Sequence, residues 1–314
     1  MGTRQLLGYG LFLLVLGAGW GFTQPMSKVA VSEGYQPFGL IFWQAAIGAA
    51  LMGVVCLLWG KRVPLGIAQL RVYLIIALIG TVIPNSATYQ AAVHLPSGIL
   101  SILLSMVPIF AFPIAIMLGN DKFELRRLGG LMLGFIGVSI IVLPSASLPQ
   151  AASTFWVLIA LIGGACYAIE GNYVARWGTA GMDPIQALFG ASVVGMVLSL
   201  PLAILTGQWI NPMPPYGAPD YAHIAGSLIH VVVYTGYVWL VGRAGSVFAV
   251  QVSYIVTICG VFWARLILSE TYSPQIWLAL AIMLGGMYLV QPRRQSASRE
   301  AVAPLPAMDQ SGPN

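Results

Sequence analysis

Charge is what this chain has least of: 14 Lys and Arg and 9 Asp and Glu make up 7% of its 314 residues. A soluble domain carries about a quarter of its residues as charges, so the deficit excludes a water-soluble globular protein of this length. Cysteine is almost as scarce. Cys56, Cys166 and Cys259 stand singly in apolar runs. No spacing among them makes a metal site or a disulfide framework, and they read as small core residues. Catalytic signatures are missing too: no HExxH, no GxSxG, no Walker-type glycine loop, no clustered carboxylates. The chain is therefore not expected to be an enzyme, and no cofactor or metal is implied.

What is present is apolar length. Hydrophobic residues make up 58% of the chain, and the mean hydropathy is +0.86. About 20 apolar residues in a helix cross the hydrocarbon core at 1.5 Å per residue. Such runs fall at roughly 6–26, 37–59, 71–92, 97–118, 128–143, 154–175, 184–205, 222–241, 246–268 and 274–291. The first follows Arg4 and resembles a secretory signal. Its internal counterpart at 154–169 argues instead for a retained helix.

The net charge of +5 sits in the loops, so it speaks of orientation rather than of nucleic acid. With the N-terminus inside, 12 basic residues lie on the cytoplasmic side: Arg4, Lys61, Arg62, Arg71, Lys122, Arg126, Arg127, Arg176, Arg243, Arg293, Arg294 and Arg299. Only Lys28 and Arg265, expected to snorkel, lie outside. Cytoplasmic loops carry the excess of Lys and Arg. Both termini are thus expected in the cytoplasm. The uncharged linker 144–153 faces outward, and the Pro-, Ser- and Ala-rich tail 292–314 is a disordered cytoplasmic extension.

The chain also repeats itself at an offset of about 148 residues. Gly98 falls on Gly245, Ser105 on Ser253, Gly137-Val138 on Gly285-Gly286 and Pro144 on Pro292, while GAGWGF (17–22) falls on GACYAI (164–169). Five spans per copy force the second copy to enter the membrane from the opposite side. The expected fold is an all-α integral membrane protein of ten transmembrane helices, arranged as two inverted five-helix repeats, 1–143 and 154–291. Two inverted copies in one chain are a recurring architecture of transporters.

Several motifs carry a family resemblance: Gly19-Trp20-Gly21 late in the first span, Ser105-Met106-Val107-Pro108 in the fourth, and Leu268-Ser269-Glu270 after the ninth. Gly134 with Gly137, and Gly285 with Gly286, add the late glycine pairs of the fifth and tenth spans. Together they resemble the EamA family of the drug/metabolite transporter superfamily, over about residues 6–291. Asp121 departs from the family's glutamate after the fourth span. Trp43 and Gln44 stand where the second span often has an arginine. The resemblance implies export of a small metabolite through a central cavity lined by spans one to four and six to nine. It also implies residence in a bacterial-type inner membrane.

Polar side chains inside a span tend to face protein or water, because lipid offers no hydrogen bonds. Helical periodicity sorts them into stripes. Thr81, Asn85 and Thr88 line the third span; Ser227, His230, Tyr234 and Tyr237 the eighth; Ser97, Ser101 and Ser105 the fourth. Gly163, Tyr167, Glu170, Tyr173 and Trp177 line the sixth, Trp20 and Gln24 the first, and Gln251 and Tyr254 the ninth. The candidate substrate-binding set is Trp20, Gln24, Gln44, Asn85, Thr88, Tyr167, Glu170, Tyr173, His230, Tyr234, Tyr237, Gln251 and Tyr254. Rings supply apolar area, and amide, hydroxyl and imidazole groups orient a solute. The competing reading of any such stripe is helix packing, which the serine stripe fits better. Trp43, Trp59, Trp156 and Trp277 read as interfacial belt residues. His94 and His223 read as exposed near the outer surface. Pro84 and Pro108 each remove a backbone hydrogen bond inside a span and are expected to kink it.

Glu170 is the one acidic residue well inside a span, and Thr23 holds its place in the first repeat. It either exchanges protons, attracts a cationic solute alongside Tyr167 and Tyr173, or pairs with a basic loop residue. His230 is the second coupling candidate, or else a histidine satisfied by a neighbouring helix. The expected partners are a small-molecule substrate, the lipid bilayer and protons. Monomer and homodimer both remain open, since Gly130 and Gly134 can pack within the chain or against a neighbour. Amino acids or similar small amphipathic metabolites are the leading substrate class; choline-like or other quaternary-ammonium compounds are the alternative. A channel would want a ring of like groups around an axis, and none is visible.

Overall fold

The computed structural model describes residues 3–142, 154–244, 248 and 251–290. The expected linker at 144–153, the tail at 292–314 and the beginning of the ninth span lie outside them. Among the described residues there is no strand, and the helices run α1 Thr3–Val31, α2 Pro37–Leu58, α3 Ile67–Ala77, a π-helical turn Leu78–Val82 and α4 Ile83–His94. They continue as α5 Ser97–Leu103, α6 Met106–Met117, α7 Leu125–Val142, α8 Thr154–Trp177, α9 Pro184–Leu205, α10 Ala218–Ala244, α11 Val252–Leu268 and α12 Pro274–Val290. Among the described residues, seven stretches are long and apolar enough to cross a membrane, two of them being 67–94 and 97–117 taken whole. Two shorter apolar helices are α11 and α12. The helix α10, 27 residues long, carries His223, Ser227 and His230. The chain is a multi-pass membrane protein.

All-helical structure follows from the solvent. In lipid every backbone N–H and C=O must find a protein partner, and a helix supplies each within its own segment. Where a proline denies that partner, the helix changes. Pro84 has no N–H for the carbonyl of Gly80, four residues back, and the π-turn lies there; Ile83 N–H bonds Leu78 O, five residues back. Pro108 likewise cannot serve Leu104, and the helix interrupts at Leu104–Ser105. Both expected kinks are thus local changes of winding.

The direction of packing can be read from contacts. Trp20 meets His230 and Gly236 lies against Phe12 and Leu16, so α1 runs antiparallel to α10. Gly17 meets Ile255 and Gly21 meets Gly260, so α1 runs parallel to α11. The other half repeats the pattern. Gly163 meets Thr88 and Tyr167 meets Asn85, so α8 is antiparallel to α4. Gly164 meets Val107 and Asn172 meets Ala111, so α8 is parallel to α6. The helices α2 and α9 pack antiparallel through Gly48 and Ser192, and α7 and α12 through Gly130 and Gly286. A Cβ on Gly130 would lie 2.5 Å from Gly286 O, so backbone meets backbone here, and Gly134 packs on Ile109. Both fifth-span glycines are therefore used inside the chain.

The two ends of the bundle differ. At one end a single apolar core joins α1, α2, α4, α5, α7, α8 and α12 through Val31, Leu40, Leu95, Ile99, Ile141, Val157 and Ile276. There Glu270 accepts from Ser97 N (2.7 Å) and Gly98 N (3.0 Å), capping α5, and from Tyr272 Oη at 2.5 Å. Lys28 donates to Ala92 O and to Val93 O at 3.1 Å, so it closes the carbonyl end of α4 rather than snorkelling. Tyr35 donates to Asp220 at 2.7 Å, and that carboxylate holds its phenol up at about 12. Trp43 donates to Ile210 O at 3.1 Å and packs on Phe42 and Trp209, so it is an internal strut and not a belt residue. His223 is buried beside Tyr89 instead of exposed, because α10 begins early enough to bring its second turn under the α2 end. At the opposite end that core continues only along α6, α7 and α12, to Phe112 and Val290, and separate apolar clusters form in α1–α10–α11, through Leu13, Leu16, Leu240 and Val252, and in α3–α9, through Val72, Tyr73, Ile76 and Ala187.

At that divided end Asp183 caps α9. Its Oδ1 accepts from Ile185 N and Gln186 N, and Gln186 Oε1 accepts from Asp183 N in return, a capping box. Lys61 Nζ lies 2.7 Å from Asp183 Oδ2. Burial opposes the charge, but Lys61 and the two backbone donors outweigh it and hold Asp183 below the usual carboxylate range. Asp183→Ala should cost about 1 kcal/mol from the cap, with about 0.5 kcal/mol more from the half-exposed ion pair. Asp183→Asn keeps the cap acceptor and should lose only the second part. A lowered folded pKa means that the ion-pair contribution is present above about pH 4 and disappears as pH falls through the folded value. Thermal melts in detergent checked at pH 7 and pH 3 should show the wild type and Asp183→Asn converging at the lower pH.

Candidate functional site

Two clusters occupy the middle of the bundle. The first lies between α1 and α10. Trp20 Nε1 donates to His230 Nδ1 at 3.2 Å. An accepting Nδ1 puts the ring proton on Nε2, so the bond selects a tautomer and fixes the indole. Around Trp20 stand Tyr237 at 5.4 Å, His230 at 6.1 Å and Tyr234 at 6.3 Å between ring centroids, with His230 and Tyr234 stacked. Helical spacing on α10 brings these three to one face.

The second cluster lies between α2, α4 and α8. Tyr167 Oη donates to Asn85 Oδ1 at 3.0 Å, Asn85 Nδ2 donates to Gln44 Oε1 at 3.1 Å, and Tyr89 Oη donates to the same Gln44 oxygen at 3.1 Å. The amide oxygens of Asn85 and Gln44 both accept, while the Gln44 amide N–H groups have no bond among the described residues. Thr88 packs on Gly163 in the same α4–α8 contact. Glu170, one turn along α8 from Tyr167, lies against Gly80 of the π-turn. It has no ion-pair partner among the described residues. The charge of its carboxylate is felt at the Tyr167 hydroxyl of this cluster and at the Tyr234 hydroxyl of the other.

Nine of the thirteen sequence candidates therefore converge: Trp20, His230, Tyr234 and Tyr237 in one cluster, and Gln44, Asn85, Thr88, Tyr167 and Glu170 in the other. Gln24 is half-buried on α1, its Oε1 enclosed without a partner. Three candidates stand elsewhere. Tyr173 packs on Trp177 at the end of α8. Gln251 is exposed at the start of α11. Tyr254, on α11, has its hydroxyl enclosed and makes no bond to either cluster among the described residues. The serine stripe is a packing face: Ser97, Ser101 and Ser105 are fully buried, and Ser101 presses on Gly260. Sequence reading missed Tyr89, although it lies one turn from Asn85 on the same stripe. It also missed Gly80, which no polar stripe can mark. No group of His, Cys, Asp and Glu among the described residues is arranged to hold a metal ion.

The chain matches the model of the EamA-like transporter family twice, over residues 7–143 and 154–291. It is 25% identical over 300 residues to the uncharacterized inner membrane transporter YedA of Escherichia coli (strain K12), covering 92% of each chain. It is 23% identical over 293 residues to a protein of Streptantibioticus cattleyicolor named "Probable terminal-alkyne amino-acid exporter", covering 91% of this chain and 94% of that one. One solved crystal structure superposes with a TM-score of 0.59 over 90% of this chain and 97% of its own, at 16% identity. That likeness carries the fold alone.

Proposed function

Because this transporter belongs to the EamA-like transporter family, we propose that it exports amino acids or similar small amphipathic metabolites across the inner membrane by alternating access, coupled through Glu170. The observation that carries the reading is the unpaired carboxylate of Glu170, set between a hydrogen-bonded amide chain and an aromatic cluster. An amino acid offers one group to each. Its ammonium suits Glu170, its carboxylate suits the Gln44 amide N–H groups, and its side chain suits Trp20, Tyr234 and Tyr237. The substrate named for the Streptantibioticus relative points to the same class.

Ten spans in two inverted repeats are supported by the helix directions. In ten alternating spans the first runs against the eighth and with the ninth. The third runs against the sixth, the sixth runs with the fourth, and the second and fifth run against the seventh and tenth. The observed contacts have these senses. The double family match supports the same division into 1–143 and 154–291. The excess of Lys and Arg on one side favours both termini in the cytoplasm. On that reading the joined core lies outside and the divided end inside, so this conformation faces inward. His230, held by Trp20, serves to position the indole, which leaves coupling to Glu170.

The second reading, a cationic or quaternary-ammonium substrate, is favoured by the same carboxylate among aromatic rings. Counterflow in proteoliposomes over an amino-acid panel, with and without a pH gradient, separates the two. Saturable uptake competed by amino acids and not by choline supports the first; the reverse selects the second. Ohmic current would replace the carrier by a channel. Gln44→Ala should raise the amino-acid KM about tenfold by removing a hydrogen bond to a charged group, with little change for choline.

A further inference from the structure

Glu170 ends in an unusual place. A β-carbon built on Gly80 would lie 2.6 Å from the Glu170 carboxyl carbon, and 2.6 and 2.7 Å from its two oxygens. The carboxyl group occupies the space that any other residue at position 80 would fill. Gly80 is also the residue whose carbonyl loses its α-helical donor, because position 84 is proline. The five residues Leu78–Val82 are π-wound as a result. Such turns within α-helices concentrate at functional sites.

The surroundings offer Glu170 no countercharge. Its own helix presents Cys166 and Tyr167, and α10 presents Tyr234. Tyr89 of α4 stands behind Tyr167, and the π-turn, α5 and α6 contain no ionisable side chain.

We propose that Gly80 is the positioning residue for Glu170: the absent side chain makes a seat for the carboxyl group, and the Gly80 carbonyl, which Pro84 cannot serve, accepts a hydrogen bond from the carboxyl O–H. The proposal rests on Glu170 as the coupling group. A protonated carboxyl has an O–H to donate to a carbonyl, whereas an ionised one has only lone pairs to set against it. The seat therefore holds the protonated form. On losing its proton, the side chain turns toward the Tyr234 hydroxyl and a bound ammonium group. Proton and substrate thus draw the same carboxyl group to two different places, which makes their binding mutually exclusive.

Two variants test the seat without needing a known substrate. Gly80→Ala puts a methyl group where the carboxyl lies; only the far end of a flexible side chain has to move, so the fold should survive. Pro84→Ala adds no volume at the seat and supplies the N–H that Gly80's carbonyl lacks, with a residue that favours helix. Infrared difference titration of the protein in lipid reads the C=O stretch of the protonated carboxyl directly, and Glu170→Gln identifies the band by its loss. The expected result is a midpoint lower by about one pH unit in both variants. A wild-type midpoint in either variant overturns the seat. Failure of the coupling reading looks different: Glu170→Gln would keep pH-gradient-dependent counterflow of the amino-acid panel, whatever the infrared midpoints do.

Discussion

Glu170→Gln is expected to reduce pH-gradient-driven transport at least about 100-fold while leaving the protein folded. Glutamine keeps the shape and the polarity of the side chain but can neither bind nor release a proton at the working pH, nor balance an ammonium group. The environment explains why the effect should be so large. Nothing near Glu170 can substitute for it: no other Asp or Glu lies in its cluster, and its ionisable neighbours are phenols and a thiol. The change should not unfold the protein, because no ion pair is broken. Removing one partner of a buried pair is costly for the charge left behind, and here no charge is left behind. Proteoliposome counterflow at equal and at unequal pH checks this. Retained rate and retained pH dependence together would remove Glu170 from the mechanism.

The largest expected effect on stability lies far from the site, where α7 crosses α12. Gly286→Leu should destabilise the protein by about 3 kcal/mol and lower its yield as a monodisperse species. A Cβ on Gly286 would lie 2.8 Å from Gly130 O and 3.2 Å from Gly134 N. These are backbone atoms on a facing helix, so no rotamer change relieves the clash; the helices must separate. Gly171→Ala is the control, since a Cβ there meets nothing within 4 Å and alanine favours helix over glycine. It should be neutral or slightly stabilising. Fluorescence melts and size-exclusion profiles in detergent compare the two. A Gly286→Leu protein melting like the wild type would mean that this crossing is not a tight one.

The same contrast shows which parts of the site were legible beforehand. Asn85, Thr88, Tyr167, Glu170, His230, Tyr234 and Tyr237 are legible because apolar helices make polar residues conspicuous and a 3.6-residue period says which of them share a face. Tyr173, Gln251 and Tyr254 satisfy the same rule and stand apart, since a shared face on one helix does not say which helix lies opposite. The stripe on α8 shows the limit: Tyr167 reaches Asn85, whereas Tyr173, six residues on, packs on Trp177 of its own helix. Lys28 and Trp43 looked like interfacial residues because of their depth in the sequence. Their partners, the carbonyls of Ala92, Val93 and Ile210, come from segments 64 to 167 residues away.

By itself, the sequence determined that this chain lives in lipid, that it is helical, where its apolar segments lie and which of their faces carry polar groups. These depend on composition and on spacing within a few residues, because lipid forces every backbone bond to be made locally. Only the tertiary structure decided that Gln44 joins Asn85 and Tyr89, that Trp20 is held by His230, that Glu270 caps α5, and that Glu170 rests on Gly80. Each of these joins separate helices through a few ångströms of side-chain reach. Helix direction and rotation set those distances, and small residues such as Gly80, Gly130 and Gly286 determine how closely the backbones approach.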